Sequence, residues 1–276
     1  MARAARPCPP GLGRMSAYDA AAPSFERHRA LPDAVAQAIR SAVLAATGTN
    51  SRPRLLDLGA GTGRIGWPFV AARDDYVGVD LSFGMLRAFL ERPDLDARSP
   101  HLVQTDGQLL PFRHATFDAV MLMQIFGGMR NWRPLMAEVR RVLRPAATLV
   151  IGRSVAPEDG IDARMKQRLT SQLAEMGVEP GRRNVRDDVQ HWLEAVAPGG
   201  RRIVVATWSA ERTPRAFLER HRTGAWFSLL PEPVKEQTLR QLGVWAAATL
   251  GPLDRPVVES HRFELTLVKF PHGVER

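Results

Sequence analysis

Cysteine is nearly missing from this chain: Cys8 is the only one in 276 residues. A single thiol close to the start excludes disulfides, cysteine-ligated zinc and a cysteine nucleophile in the core, and it suits a reducing, cytoplasmic setting. Lysine is nearly missing too. Lys166, Lys235 and Lys269 are the only three, so arginine carries the net charge of +9 and the isoelectric point near 10.9. The arginines are spread along the chain, with local groups at Arg3, Arg6 and Arg14, at Arg182, Arg183 and Arg186, and at Arg201 and Arg202. None is interleaved with stacking aromatics, which argues against a single-stranded nucleic-acid surface. A solvated, arginine-rich exterior is the simpler account. No apolar run approaches the ~18 residues of a membrane span. Residues 1–15 hold no acid and no apolar signal core, and read as a disordered basic leader or as an over-long start ahead of Met15. The rest, with 45% hydrophobic and 24% charged residues over the whole chain, is ordinary for a globular domain. Its length allows one full core with a small cap.

A run of apolar residues leads into a glycine-spaced turn at Leu55-Leu56-Asp57-Leu58-Gly59-Ala60-Gly61-Thr62-Gly63. A buried strand that ends in such a turn and then opens a helix lets a ligand lie on bare backbone, because glycine has no Cβ to hold it off. Gly61, Gly63 and Gly66 also satisfy the dinucleotide fingerprint G-x-G-x-x-G. On its own the turn does not separate the two ligand classes.

Pro32 and Gly48 bracket a helix over 33–47, with Val35, Ile39 and Val43 on one stripe. Strands are predicted at 54–58, 76–79, 101–105, 117–123 and 148–152. Helices at 64–72 (interrupted by Pro68), 83–91 and 133–143 lie between them. This alternation argues for a parallel sheet wound on both faces, with ligands at the carboxyl ends of its strands. Past residue 153 the spacing predicts helices over 161–176 and 187–196, one opening at Thr213-Pro214, and one over 233–249 stopped by Gly251. Strands over 202–208 and 263–270 complete the chain.

Three acids stand at predicted strand ends. Asp80, seventeen residues past Gly63, can accept both hydroxyls of a ribose; it could instead cap the next helix, as could Ser82. Asp106 closes the third strand in Thr105-Asp106-Gly107-Gln108. It could accept from an exocyclic amine such as adenine's, or simply form a turn before glycine. Asp57 could bond the amides of its own turn or reach a bound ammonium group, since an ionisable group there is costly without a partner.

As an ordered set these features resemble the class I S-adenosylmethionine-dependent methyltransferases, best their small-molecule branch with the quinone-biosynthesis enzymes. The resemblance rests on LLDLGAGTGRIG (55–66), YVGVDLSFGMLR (76–87), TDGQLLPF (105–112), FDAVMLMQIFGGM (117–129) and EVRRVLRPAATLVIG (138–152). It is weaker at Tyr18-Asp19 and from Phe25 to Arg29, and loose beyond residue 153. It implies an α/β fold: a doubly wound, Rossmann-like sheet of seven strands, mostly parallel with an antiparallel last strand, plus a helical cap. The implied domain runs over 16–276, with N-terminal cap helices in 16–50, a cofactor core in 51–153, a helical substrate cap with one sheet strand in 154–251, and the final strand in 252–276.

For S-adenosylmethionine, the resemblance implies Gly59, Ala60 and Gly61 beneath the methionine portion and Asp57 near its amino group. Asp80 would take the ribose, Leu81 and Met85 would pack on adenine, and Asp106 would accept from the adenine amine beside Gly107 and Gln108. Met123 and Gln124 would sit near the methionine amine and the methyl group, with Tyr18 and Arg29 in the cap over the ligand. The side chains of Met85 and Met123 read equally as core. The chain departs from the family at Pro145-Ala146-Ala147, where Pro-Gly-Gly is usual.

No metal is implied, and no general base stands out among His28, His221 and His261. Arg153 could hold an acidic acceptor or make an ordinary ion pair. Gln124-Ile125-Phe126-Gly127 occupies the place where amino-methylating DNA enzymes carry N/D-P-P-Y/F/W, which argues against such substrates. Phe217, Trp226, Phe227 and Trp245 read as pocket or as core. The expected acceptor is a small or medium organic molecule with an apolar body. The rivals are an RNA methyltransferase and a protein that binds the cofactor without catalysis; a dinucleotide enzyme would leave Asp106 without a role.

Overall fold

A computed structural model describes residues 31–49, 51–95, 99–129, 131–178, 185–222, 227 and 230–271. The first core element is α1 (Asp33–Thr47), whose Val35, Ile39 and Val43 are buried and whose chain leaves through Gly48 in the left-handed region. There follow β1 (Arg54–Leu58), α2 (Trp67–Ala71), β2 (Asp75–Asp80), α3 (Phe83–Leu90), β3 (His101–Gln104), β4 (Phe117–Met123), α4 (Arg133–Val142) and β5 (Leu143–Val155). The second half contributes α5 (Ile161–Glu175), α6 (Arg186–Val196), β6 (Arg201–Arg212), α7 (Pro214–Arg222), α8 (Glu232–Thr249) and β7 (Val257–Lys269). Pro68 does not interrupt a long helix. It sits in the first turn of α2, where its missing N–H costs nothing, and the helix is only five residues long.

The seven strands form one sheet in the order β3-β2-β1-β4-β5-β7-β6. The pairs β3–β2, β2–β1, β1–β4 and β4–β5 are parallel, and β7 runs antiparallel to both β5 and β6. The fold class is therefore the doubly wound, seven-stranded sheet with an antiparallel last strand. Leu55, Leu56 and Leu58 of β1 and residues 119–122 of β4 are buried on both sides, the near-continuous apolar run of a covered parallel strand. One face packs on α1, α2 and α3 through Val43, Phe69 and Phe89. The other packs on α4 and α6 through Val139, Val189 and Leu193.

A third core belongs to α5, α7 and α8, with Met165, Leu173, Phe217, Phe227 and Leu242 at its centre. Phe217 and Phe227 are thus core, and Trp245 packs on the same cluster; Trp226 lies outside the described residues. This helical unit stands on a two-stranded ribbon. β7 continues past its last pairing with β5, Val155↔Arg262, while Trp208–Arg212 of β6 stay paired with Val257–His261. The joint is pinned by the Ile161 amide, which donates to Glu259 at 2.6 Å, and by Arg220, which donates to Asp162 at 2.7 Å. Because β5 and β6 leave the sheet at their carboxyl ends, the unit rises from the edge where ligands bind in such sheets.

The turn without glycine has a definite solution. Ala146 takes φ of 62°, in the left-handed region, where the β4–β5 register shifts between Phe117 and Ala119. A non-glycine residue held there is strained by about 1–2 kcal/mol. Ala146→Gly is expected to raise the midpoint of denaturant unfolding by about 1 kcal/mol equivalent, with unchanged slope; an unmoved midpoint would show a relaxed turn.

Candidate cofactor site

The carboxyl end of β1 is stitched directly to β2. The Gly59 and Ala60 amides both donate to the Val79 carbonyl, at 2.8 and 2.9 Å. The Gly61 amide donates to Asp80 Oδ2 at 2.9 Å, and the Ser82 amide donates to Asp80 Oδ1 at 2.9 Å. Helix capping falls to Ser82, whose hydroxyl accepts from the Met85 amide, so the choice between Asp80 and Ser82 as cap is resolved. The Thr105 amide donates to the Asp80 carbonyl at 3.0 Å, which brings Asp106 beside Asp80. Asp106 is exposed and accepts from the Gln108 amide, so it does form the expected turn. Gly107 lies against Leu58, where a Cβ would come within 2.6 Å.

Two residues of α4 hold this third loop. Glu138 accepts from the Leu110 amide at 2.8 Å, and Arg141 donates to the carbonyls of Leu110 and Phe112. The Arg141 guanidinium also keeps the Glu138 carboxyl below its ordinary range. Neither residue was singled out from the sequence; an acid and an arginine one helical turn apart look like any surface pair. Around the loop, Leu81, Phe83 and Leu109 leave 51%, 60% and 64% of their surface exposed. Met85 and Met123 are buried, Met123 against Gly152 and Phe263, which matches their core reading.

Asp57 does not bond the amides of its own turn. It is 2% exposed, and its Oδ2 accepts from the Tyr76 hydroxyl at 2.7 Å. Burial pushes its carboxyl up to about 7, against the Tyr76 bond, and the nearby Asp80 charge raises it further. Oδ1 has no hydrogen-bond partner among the described residues. The same tyrosine accounts for Gly66, whereas Gly78 is crowded first by Leu102 and Ala60. A Cβ at Gly66 would lie 2.2 Å from the Tyr76 hydroxyl and one at Gly78 3.2 Å from it. The last glycine of the apparent dinucleotide fingerprint therefore makes room for a tyrosine.

Gly61 is different. Its φ is 58°, and among the described residues the only heavy atom within 4 Å of an added Cβ is the Gly59 carbonyl oxygen, at 3.9 Å. Protein packing does not demand a glycine here, whereas a Cβ at Gly63 would run into the Phe89 ring at 2.1 Å. Among the described residues, a bare turn with no side chain over it, a carboxylate fixed by two amides, exposed apolar side chains next to a second carboxylate and a buried acid oxygen without a partner together fit an adenosyl amino acid.

Across the rim, Gln124 follows the last residue of β4 with φ of 62°. Its side-chain oxygen accepts from Arg64 at 2.6 Å, and its amide nitrogen donates to the Ser154 hydroxyl at 2.6 Å. Ile125 packs over Gly59. Arg153 lies within β5 and donates twice to Glu264, which also accepts from Arg262, so it is an ion-pair residue. His221 Nδ1 lies 2.9 Å from the Phe217 carbonyl of its own helix. His261 is buried, 3.4 Å from Glu259, and burial lowers its pKa. Tyr18, Asp19, Phe25, His28 and Arg29 lie outside the described residues. No group of three metal-ligating side chains is present among the described residues, and no described helix is long and apolar enough to cross a membrane.

The sheet order and the glycine turn define a class I methyltransferase-like fold. Residues 56–151 match the methyltransferase domain family. The chain is similar to the demethylmenaquinone methyltransferase of Renibacterium salmoninarum, with 34% identity over 122 residues, 44% of this chain and 49% of that protein. The chain thus spans about half the length of the curated relatives it matches. Among solved structures it resembles the YcgJ protein of Bacillus subtilis (TM-score 0.55, 18% identity, 85% of this chain and 99% of that one). It also resembles the cyclase SpnF (TM-score 0.51, 18% identity, 93% and 95%). At such identities the likeness is one of fold, and function has to be argued from the site.

Proposed function

We propose that the protein binds S-adenosylmethionine along the carboxyl ends of β1, β2, β3 and β4 and transfers its methyl group to a small or medium organic acceptor. The observation that carries this reading is the pairing of Gly61 with Asp80, a bare turn beside a carboxylate that two backbone amides hold in place. When bound, the cofactor supplies a methyl group on a cationic sulfonium, so the protein's task is mainly placement. Asp80 accepts the ribose hydroxyls, Asp106 accepts from the adenine amine, and Leu81 covers the base. Gly59, Ala60 and Gly61 support the amino-acid portion. Asp57, whose carboxyl burial pushes up to about 7, is drawn toward its ionised form by an ammonium group above β1. The similarity to demethylmenaquinone methyltransferases supports a small acceptor with an apolar body.

Asp80→Ala is expected to weaken S-adenosylhomocysteine binding by about 1–3 kcal/mol, the range for a charge-assisted acceptor. Isothermal calorimetry reads this directly, and unchanged affinity would reject the ribose role. The wild type should bind S-adenosylhomocysteine and not NAD; the reverse result overturns the cofactor assignment. Release of S-adenosylhomocysteine across a panel of phenolic, enolic and amine acceptors separates methyl transfer from cofactor binding alone. Tight, salt-sensitive RNA binding would instead favour a nucleic-acid substrate.

A further inference from the structure

The adenosyl amino acid of the reading above carries a carboxylate, and that group needs a cation. The rim it would occupy is acidic at β1, β2 and β3, where Asp57, Asp80 and Asp106 stand. The usual alternative, a helix N-terminus behind the glycine turn, is weak here: α2 has five residues and a proline in its first turn. A five-residue helix sums few peptide dipoles, and a proline removes one donor.

Sheet order fixes which end of the ligand meets which strand. With the ribose at Asp80 on β2 and the base beyond it at β3, the amino-acid end points across β1 toward β4. There the chain has built a chain of polar side chains. Arg64 follows the last glycine of the turn, is half-buried and donates to Gln124 Oε1 at 2.6 Å. Gln124 Nε2 donates to the Ser154 hydroxyl on β5 at 2.6 Å. Gln124 is held in the left-handed region at φ of 62°, a conformation that costs about 1–3 kcal/mol and that surrounding structure must enforce. Both ends of its amide are committed, so its orientation is set, and it holds one nitrogen of the guanidinium. A guanidinium presents five N–H donors in a planar fork, enough to serve an amide oxygen and a carboxylate together.

We propose that Arg64 anchors the carboxylate of the cofactor's amino acid, and that Gln124, braced by Ser154, is the positioning residue that aims it. This rests on the cofactor reading above. The relay also ties the cofactor's amino-acid end to β5, the strand that leads into the helical unit.

Two ligands separate the possibilities. S-adenosylhomocysteine carries the amino acid; 5′-methylthioadenosine keeps the nucleoside and lacks it. By calorimetry on the full chain, Arg64→Met is expected to bind S-adenosylhomocysteine about 10- to 100-fold more weakly, the worth of a charge-assisted bond, and 5′-methylthioadenosine as the wild type does. Arg64→Lys should recover part of the loss. Ser154→Ala is expected to weaken S-adenosylhomocysteine about threefold and spare the truncated ligand. Equal weakening of both ligands in Arg64→Met would mean that Arg64 only shapes the turn, and no weakening would mean that it touches no ligand; either overturns the proposal. If the wild type binds neither ligand, it is the cofactor reading that has failed.

Discussion

Gly61→Val is expected to leave the protein folded and to abolish binding of S-adenosylhomocysteine. Among the described residues an added side chain at 61 meets only the Gly59 carbonyl oxygen, at 3.9 Å, so the native packing has no objection to it. The backbone does object: φ is 58°, a region that β-branched side chains rarely adopt, at about 1–3 kcal/mol out of a usual total of about 5–15 kcal/mol. A β-branched side chain standing in the place of the ligand should reduce affinity by at least about 100-fold, near 3 kcal/mol. Gly63→Ala is the contrast, since its methyl would strike the Phe89 ring and should lower stability by about 1–3 kcal/mol through overpacking. Calorimetry for binding and thermal unfolding for stability distinguish the two positions. Wild-type affinity in Gly61→Val would show that no ligand rests on this turn.

Asp57→Asn is expected to change how stability depends on pH. The folded protein holds the Asp57 proton up to about pH 7, while an unfolded aspartate releases it near 4. Between those values the folded state binds more protons, so stability falls as pH rises, by roughly 4 kcal/mol across the window. Asparagine keeps an oxygen for the Tyr76 hydroxyl and does not ionise. It leaves an N–H pair where Oδ1 now lacks a partner, which costs about 1–3 kcal/mol. Asp57→Asn should therefore be somewhat less stable than the wild type at pH 5 and about 2 kcal/mol more stable at pH 8. Urea unfolding at the two pH values tests this; identical pH slopes in both proteins would remove Asp57 as the titrating group.

The site was legible to the degree that its parts are local. Asp57, Asp80 and Asp106 stand out because strands end beside them, and glycine spacing marks the turn at any level of description. What Tyr76 does was not legible. It reads as one more apolar strand residue until the space left by Gly66 brings its hydroxyl to Asp57. Arg64 and Ser154 are equally silent, since they lie 60 and 30 residues from Gln124 and no short pattern links them.

The order of glycines, acids and apolar runs determined by itself that this chain winds a parallel sheet with a glycine turn after the first strand, because strand burial and glycine conformation are properties of neighbouring residues. Tertiary structure alone decided that Asp57 is buried with its carboxyl pushed up, which glycines the packing requires, and that Gln124 is clamped between Arg64 and Ser154. Those outcomes depend on desolvation and on contacts between strands, and only the folded sheet supplies either.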